Sequence, residues 1–70
     1  MMPLTLVNLG EPNIIKKVGG KPDVRKHLED LGFVAGGSIT VISALGGNVI
    51  ANIKGSRVAI SKEMAQKIMV

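Results

Sequence analysis

Seventy residues are enough for one domain, residues 1–70, but not for a large core, because a chain of this size buries only about 60% of its unfolded surface. Apolar residues make up 46% of the chain and cysteine is absent, so folding relies on the apolar core, with no disulfide framework and no thiolate metal site. Nine Lys and Arg against five acids leave a net charge of +4, which favours acidic partners, yet the basic residues are scattered and form no nucleic-acid-binding tail.

Met1 to Leu9 is apolar but short, has no basic leader and runs into Gly10-Glu11-Pro12, so neither a signal peptide nor a membrane span is expected, and a soluble, cytoplasmic protein is. Leu4 to Leu9 is predicted as a first strand, with Leu4 and Leu6 on one face. Gly10-Glu11-Pro12-Asn13 reads as a turn, and Ile14 to Val18 as a second strand, which leaves Pro12 outside both ladders. From Pro22 to Leu31 the period changes: Val24, Leu28 and Leu31 fall on one helical stripe. Pro22 suits the first turn of that helix, Gly32 the left-handed residue that ends it, and Phe33 is then placed to pack back on Leu28.

The richest strand signal follows. Ser38 to Leu45 is dense in β-branched residues, Gly46-Gly47-Asn48 supplies a hairpin turn, and Val49, Ala51 and Ile53 alternate with Ile50, Asn52 and Lys54. Gly55-Ser56 is predicted as the connection to a returning strand, Arg57 to Ile60. Ser61 is an N-cap candidate for a short helix carrying Met64, Ala65 and Ile68, and Met69-Val70 is expected to close the sheet. The predicted fold is mainly β: a small SH3-like barrel of about five strands with one inserted helix and a short C-terminal helix. Closing the sheet would remove exposed edges.

The order of these features resembles the FeoA family over essentially the whole chain. The residues that carry the likeness are the leading Leu-rich segment ending in Gly10, then Arg25-Lys26-His27-Leu28-Glu29-Asp30-Leu31-Gly32-Phe33. They continue with Ile39-Thr40-Val41, Gly46-Gly47, Gly55-Ser56-Arg57-Val58-Ala59-Ile60, and Ala65 with Ile68 before Val70. Two departures are Glu11-Pro12-Asn13 in the first turn and Ala35-Gly36-Gly37 where Pro-Gly is common in the family. The resemblance implies an SH3-like barrel and a partner, the cytoplasmic part of FeoB, the membrane GTPase that moves ferrous iron. Any association with transition metals enters through that iron context.

The residues themselves argue mainly by exclusion. Nucleophilic catalysis needs a nucleophile, a base and an orienting group, and His27 is the lone base near neutral pH in a chain without Cys or Tyr. Glu29 and Asp30 are adjacent on a helix and point apart, so they form no acid–base pair. The expectation is a non-enzyme. One His and five scattered acids make no preformed metal cage, so no cofactor is expected; His27 with Asp23, Glu29 or Asp30 would make at most a weak surface site. The paired glycines lack the spacing and the following Lys-Ser/Thr of a phosphate loop. Phe33 is the single aromatic, which argues against a groove for Pro-rich peptides and against strong stacking of nucleic-acid bases.

What remains is docking on another protein. Leu45, Ile50 and Met69 are the apolar candidates for that contact, and Lys54 and Arg57, flanking the second turn, are the basic ones. A basic nucleic-acid-binding barrel and a weak transition-metal binder are the alternatives.

Overall fold

The computed structural model describes residues 1–70 and contains six short strands, two helices and one 3₁₀ turn at Leu4–Leu6. In chain order the elements are β1 (Pro12–Ile14), β2 (Lys17–Val18), α1 (Pro22–Asp30), β3 (Ser38–Leu45), β4 (Asn48–Ile53), β5 (Ser56–Ser61), α2 (Lys62–Ala65) and β6 (Ile68–Met69). β1, β3, β4 and β5 form one sheet in that order, and β2 with β6 forms a second, all pairs being antiparallel. The molecule measures 28 × 25 × 23 Å, the near-isometric outline of a small barrel rather than of an open sheet.

The meander β3–β4–β5 forms because β-branched residues alternate along it. Val49, Ala51 and Ile53 are buried while Ile50 and Asn52 are half-buried on the opposite face. The register has one irregularity: Val41 faces Ala51, Ser43 faces Ile50, and Ile42 is the extra residue of a β-bulge. The core that closes beneath this sheet is wholly apolar, with no polar or charged residue buried in it. Its largest fully buried side chains are Leu4, Ile15, Leu28, Phe33, Ile39 and Ile68, each worth about 1.5–3 kcal/mol of burial.

α1 starts at Pro22 and ends in a Schellman motif. Gly32, at φ 108°, donates to the Glu29 carbonyl at 3.0 Å, and the Phe33 N–H reaches back to Leu28 at the same distance. Phe33 and Leu28, both fully buried, supply the apolar contact of that motif. The short α2 is capped as expected: Ser61 Oγ accepts from the Met64 N–H at 3.2 Å.

Four local expectations are corrected. Leu4 to Leu9 is not a strand. Pro3 leads into a 3₁₀ turn whose three-residue repeat buries Leu4 and packs Val7 on the core, leaving Leu6 exposed. Ile14 to Val18 is not one strand either. Ile14 pairs with β3, while Ile15 exchanges bonds with the Gly36–Gly37 backbone at 2.7 and 2.8 Å; the chain then crosses to β6 at Lys17. Pro12 lies inside β1 rather than in a turn, tolerated because β1 is an edge strand. The β4–β5 connection is Lys54-Gly55, not Gly55-Ser56. Ile53 faces Ser56, and the two turn residues have φ of 51° and 76°, as a type I′ hairpin turn requires.

Candidate docking surface

The register of the meander decides which predicted contact residues meet. On its outer face, Leu45, Asn48 and Ser61 form one row, Ser43, Ile50 and Ala59 the next, and Thr40, Asn52 and Arg57 a third. Leu45, Ile50 and Arg57 therefore share one face. Leu45's row lies four residues along β4 from that of Arg57, roughly 13 Å. Lys54 sits at the tip of the β4–β5 turn beside Arg57. Met69 does not join them, because it belongs to the other sheet, opposite Lys17.

The bulge at Ile42 is what presents Leu45. Strict alternation from the buried Ile39 and Val41 would turn Leu45 inward, and one extra residue reverses the parity. Leu45 is 81% exposed as a result. Ile42 itself and Leu9 are exposed apolar residues that sequence reasoning missed as contact candidates. The Gly10 N–H bonds the Val41 carbonyl at 2.8 Å, which draws the chain after Leu9 alongside the bulge. No Gly or Pro marks that bulge, so the sequence carries no signal for it.

The electrostatics of this face are simple. Arg57 Nε donates to Asn52 Oδ1 at 3.4 Å, which holds the guanidinium over the sheet. The acids lie elsewhere: Asp23, Glu29 and Asp30 are exposed on α1, Glu63 on α2 and Glu11 just before β1. Two apolar side chains, Leu45 and Ile50, set among Asn, Ser and Thr with a basic end, suit a protein surface that offers an apolar contact and a carboxylate.

Two shallow clefts indent the surface. One of about 320 Å³ is lined by Pro12, Asn13, Ile14, Lys16, Ser38 and Val70. The other, about 180 Å³, is lined by Thr5, Ala44, Gly46, Asn48, Val49 and Lys62. Neither presents an Asp, Glu or His side chain, so neither offers an acid–base pair. His27 is exposed on α1, and no three His, Asp or Glu side chains gather anywhere in a metal-holding group.

The FeoA domain model matches residues 2–70. The chain belongs to the FeoA domain family. It is 37% identical over 70 residues to the "Putative Fe(2+) transport protein A" of Methanocaldococcus jannaschii, an alignment covering 100% of this chain and 85% of that protein. A crystal structure of an iron uptake regulatory protein, FeoA, superposes with a TM-score of 0.90 at 28% identity, covering 99% of this chain and 93% of that one. FeoA of Stenotrophomonas maltophilia, solved with zinc and described as a prokaryotic SH3 domain protein, superposes with a TM-score of 0.86. At 20% identity, over 100% of this chain and 89% of that one, this last likeness speaks to fold alone. The FeoA-domain chain is thus an SH3-like barrel, and as a member of a family of accessory proteins it is not an enzyme.

Proposed function

We propose that this FeoA-domain protein is an accessory of ferrous iron uptake that docks on the cytoplasmic part of FeoB and tunes its assembly or its GTPase. The observation that carries the reading is the family match over residues 2–70, supported by the Fe(2+) transport relative that aligns along the whole chain. Under this reading the outer face of the meander makes the contact. Leu45 and Ile50 enter an apolar patch of the transporter, and Arg57 and Lys54 meet its carboxylates. No helix is long and apolar enough to cross a membrane, which is compatible with an accessory that works on the cytoplasmic side.

Titration of the isolated FeoB cytoplasmic domain with wild type, Leu45→Asp and Arg57→Glu tests the proposal. Wild type binds, and each substitution weakens binding about tenfold or more, the equivalent of about 1.4 kcal/mol. Absence of binding by folded wild-type protein would reject it. The same titration across salt concentrations separates protein docking from nucleic-acid binding, whose affinity falls steeply and linearly on a log–log plot as counterions leave the phosphates.

A further inference from the structure

The end of the meander that carries Leu45 borders the smaller cleft, about 180 Å³ in volume, and three segments distant in sequence close around it. Ala44 and Val49, cross-strand partners in β3 and β4, give it an apolar wall, with Val49 buried. Thr5 comes from the 3₁₀ turn, Asn48 from the start of β4 and Lys62 from the start of α2. The Lys62 N–H donates to the Gly47 carbonyl at 2.8 Å, so the β3–β4 turn and the start of α2 are held together before anything binds. Leu45 lies between Ala44 and Gly46, which both line the cleft, and is 81% exposed at its edge.

The polar lining is rich in donors and free of acids. A lysine ammonium offers three N–H donors, an asparagine amide two and a threonine hydroxyl one. None of Thr5, Asn48 and Lys62 takes part in the side-chain hydrogen bonds of the molecule, which join Asn8 and Asn13 to Glu11, Arg57 to Asn52 and Ser61 to Met64. Glu63, next to Lys62 in the chain, does not line the cleft. The larger cleft carries a similar trio, Asn13, Lys16 and Ser38, but there the Asn13 amide already donates to the Glu11 carbonyl at 3.2 Å. The smaller cleft alone sets an uncommitted amide beside an ammonium.

We propose that this cleft receives a glutamate side chain of the docking partner. Its carboxylate accepts hydrogen bonds from Lys62, Asn48 and Thr5, and its methylenes lie against Ala44 and Val49. The ammonium selects a negative group, because hydrogen bonds between charged partners are about twice as strong as neutral ones. The apolar wall selects a group carried on an aliphatic stem, which inorganic phosphate lacks. The volume suits one short side chain. A free aliphatic carboxylate has the same chemistry, but it would leave Leu45 uncovered, whereas a protein that inserts a glutamate buries both. The partner's identity rests on the transporter reading, which the inference deepens: the FeoB surface facing Leu45 carries a glutamate beside its apolar patch. The chemistry of the cleft stands apart from that reading.

Amide-shift titrations at constant ionic strength with butyrate, butyramide and inorganic phosphate, each to about 200 mM, test the cleft without FeoB. Butyrate is expected to give saturable shifts at Thr5, Gly46, Asn48 and Lys62 with a dissociation constant of about 10 mM. Butyramide and phosphate bind about tenfold more weakly or worse. Lys62→Met removes the charge and keeps a stem, and Ala44→Leu fills the cleft and keeps the charge; each weakens butyrate about tenfold or more, while Lys26→Met on α1 changes nothing. Lys62 and Ala44 are exposed, so both variants keep the wild-type circular dichroism. If one does not, the three probes on wild type decide alone. Absence of local shifts overturns the proposal. So does phosphate binding as tightly as butyrate, or a folded Ala44→Leu that binds butyrate like wild type, since the ligand would then meet a bare ammonium. Titration of the FeoB cytoplasmic domain settles the source: Lys62→Met and Ala44→Leu both weaken it if a glutamate enters the cleft. Unchanged affinity in both variants overturns the glutamate assignment, whereas a wild type that binds butyrate but not the domain rejects the transporter reading instead.

Discussion

The meander and the ribbon where the two chain ends meet bury side chains equally well and are built in opposite ways. β3, β4 and β5 are consecutive, joined by two-residue turns, and each pairs with the strand next in sequence. The ribbon gathers three distant pieces. Met2 and Val70 exchange backbone bonds of 2.9 Å, Pro3 bridges Met69, and Lys17 and Val18 pair with Met69 and Ile68. Ile53 in the meander is 2% exposed and Ile68 in the ribbon 0%. Burial alone ranks them as equals, but closing the ribbon requires ordering nearly the whole chain first. Short-range pairing is expected to form early and the ribbon to lock late.

The largest effects test that difference directly. Ile53→Ala and Ile68→Ala are each expected to destabilise the protein by about 2–5 kcal/mol in urea denaturation. Stopped-flow kinetics should separate them: Ile53→Ala slows folding, whereas Ile68→Ala mainly accelerates unfolding. If both act on the same limb of the chevron, the two regions do not differ in the way their topology implies.

The same contrast governs what could be read from the residues. The strands of the meander, α1 with its Gly32-Phe33 ending, and the Ser61 cap were legible because each rests on contacts a few residues apart. The first eighteen residues were misread because distant partners decide them. Leu4 and Leu6 look like one strand face, yet the 3₁₀ turn pairs Leu4 with Val7 instead. Ile15 is bound by the Gly36–Gly37 backbone, which nothing near Ile15 in the sequence announces. For the candidate site, the residue types were legible and their grouping was not. Placing Leu45 with Ile50 and Arg57 needed the bulge at Ile42, and excluding Met69 needed the second sheet.

α2 links the two regions, and its cap is the next most sensitive point. Ser61→Ala removes the acceptor of the Met64 N–H and is expected to cost about 1 kcal/mol. Because Ile68 and Met69 follow α2, the loss should also speed amide exchange at Lys16 and Gly19, whose N–H groups bond the Met69 and Lys67 carbonyls, more than at Val49 and Ala51. Equal acceleration everywhere would mean that the ribbon and the meander open together.

The smallest expected effect is a gain. Lys54 holds φ 51° in the β4–β5 turn, a left-handed conformation that costs a residue with a Cβ about 1 kcal/mol, while Gly55 at 76° bears no such cost. Asn tolerates that conformation, so Lys54→Asn creates the Asn-Gly pair preferred in type I′ turns and is expected to stabilise by a few tenths of a kcal/mol up to about 1 kcal/mol. For a domain of this size, that upper value corresponds to a rise in Tm of about 4–8 °C. The turn sits inside the region expected to form first, so the gain should appear chiefly as faster folding. A gain seen only as slower unfolding would place the β4–β5 hairpin after the rate-limiting step, and the early assembly of the meander would have to be assigned to β3–β4 alone.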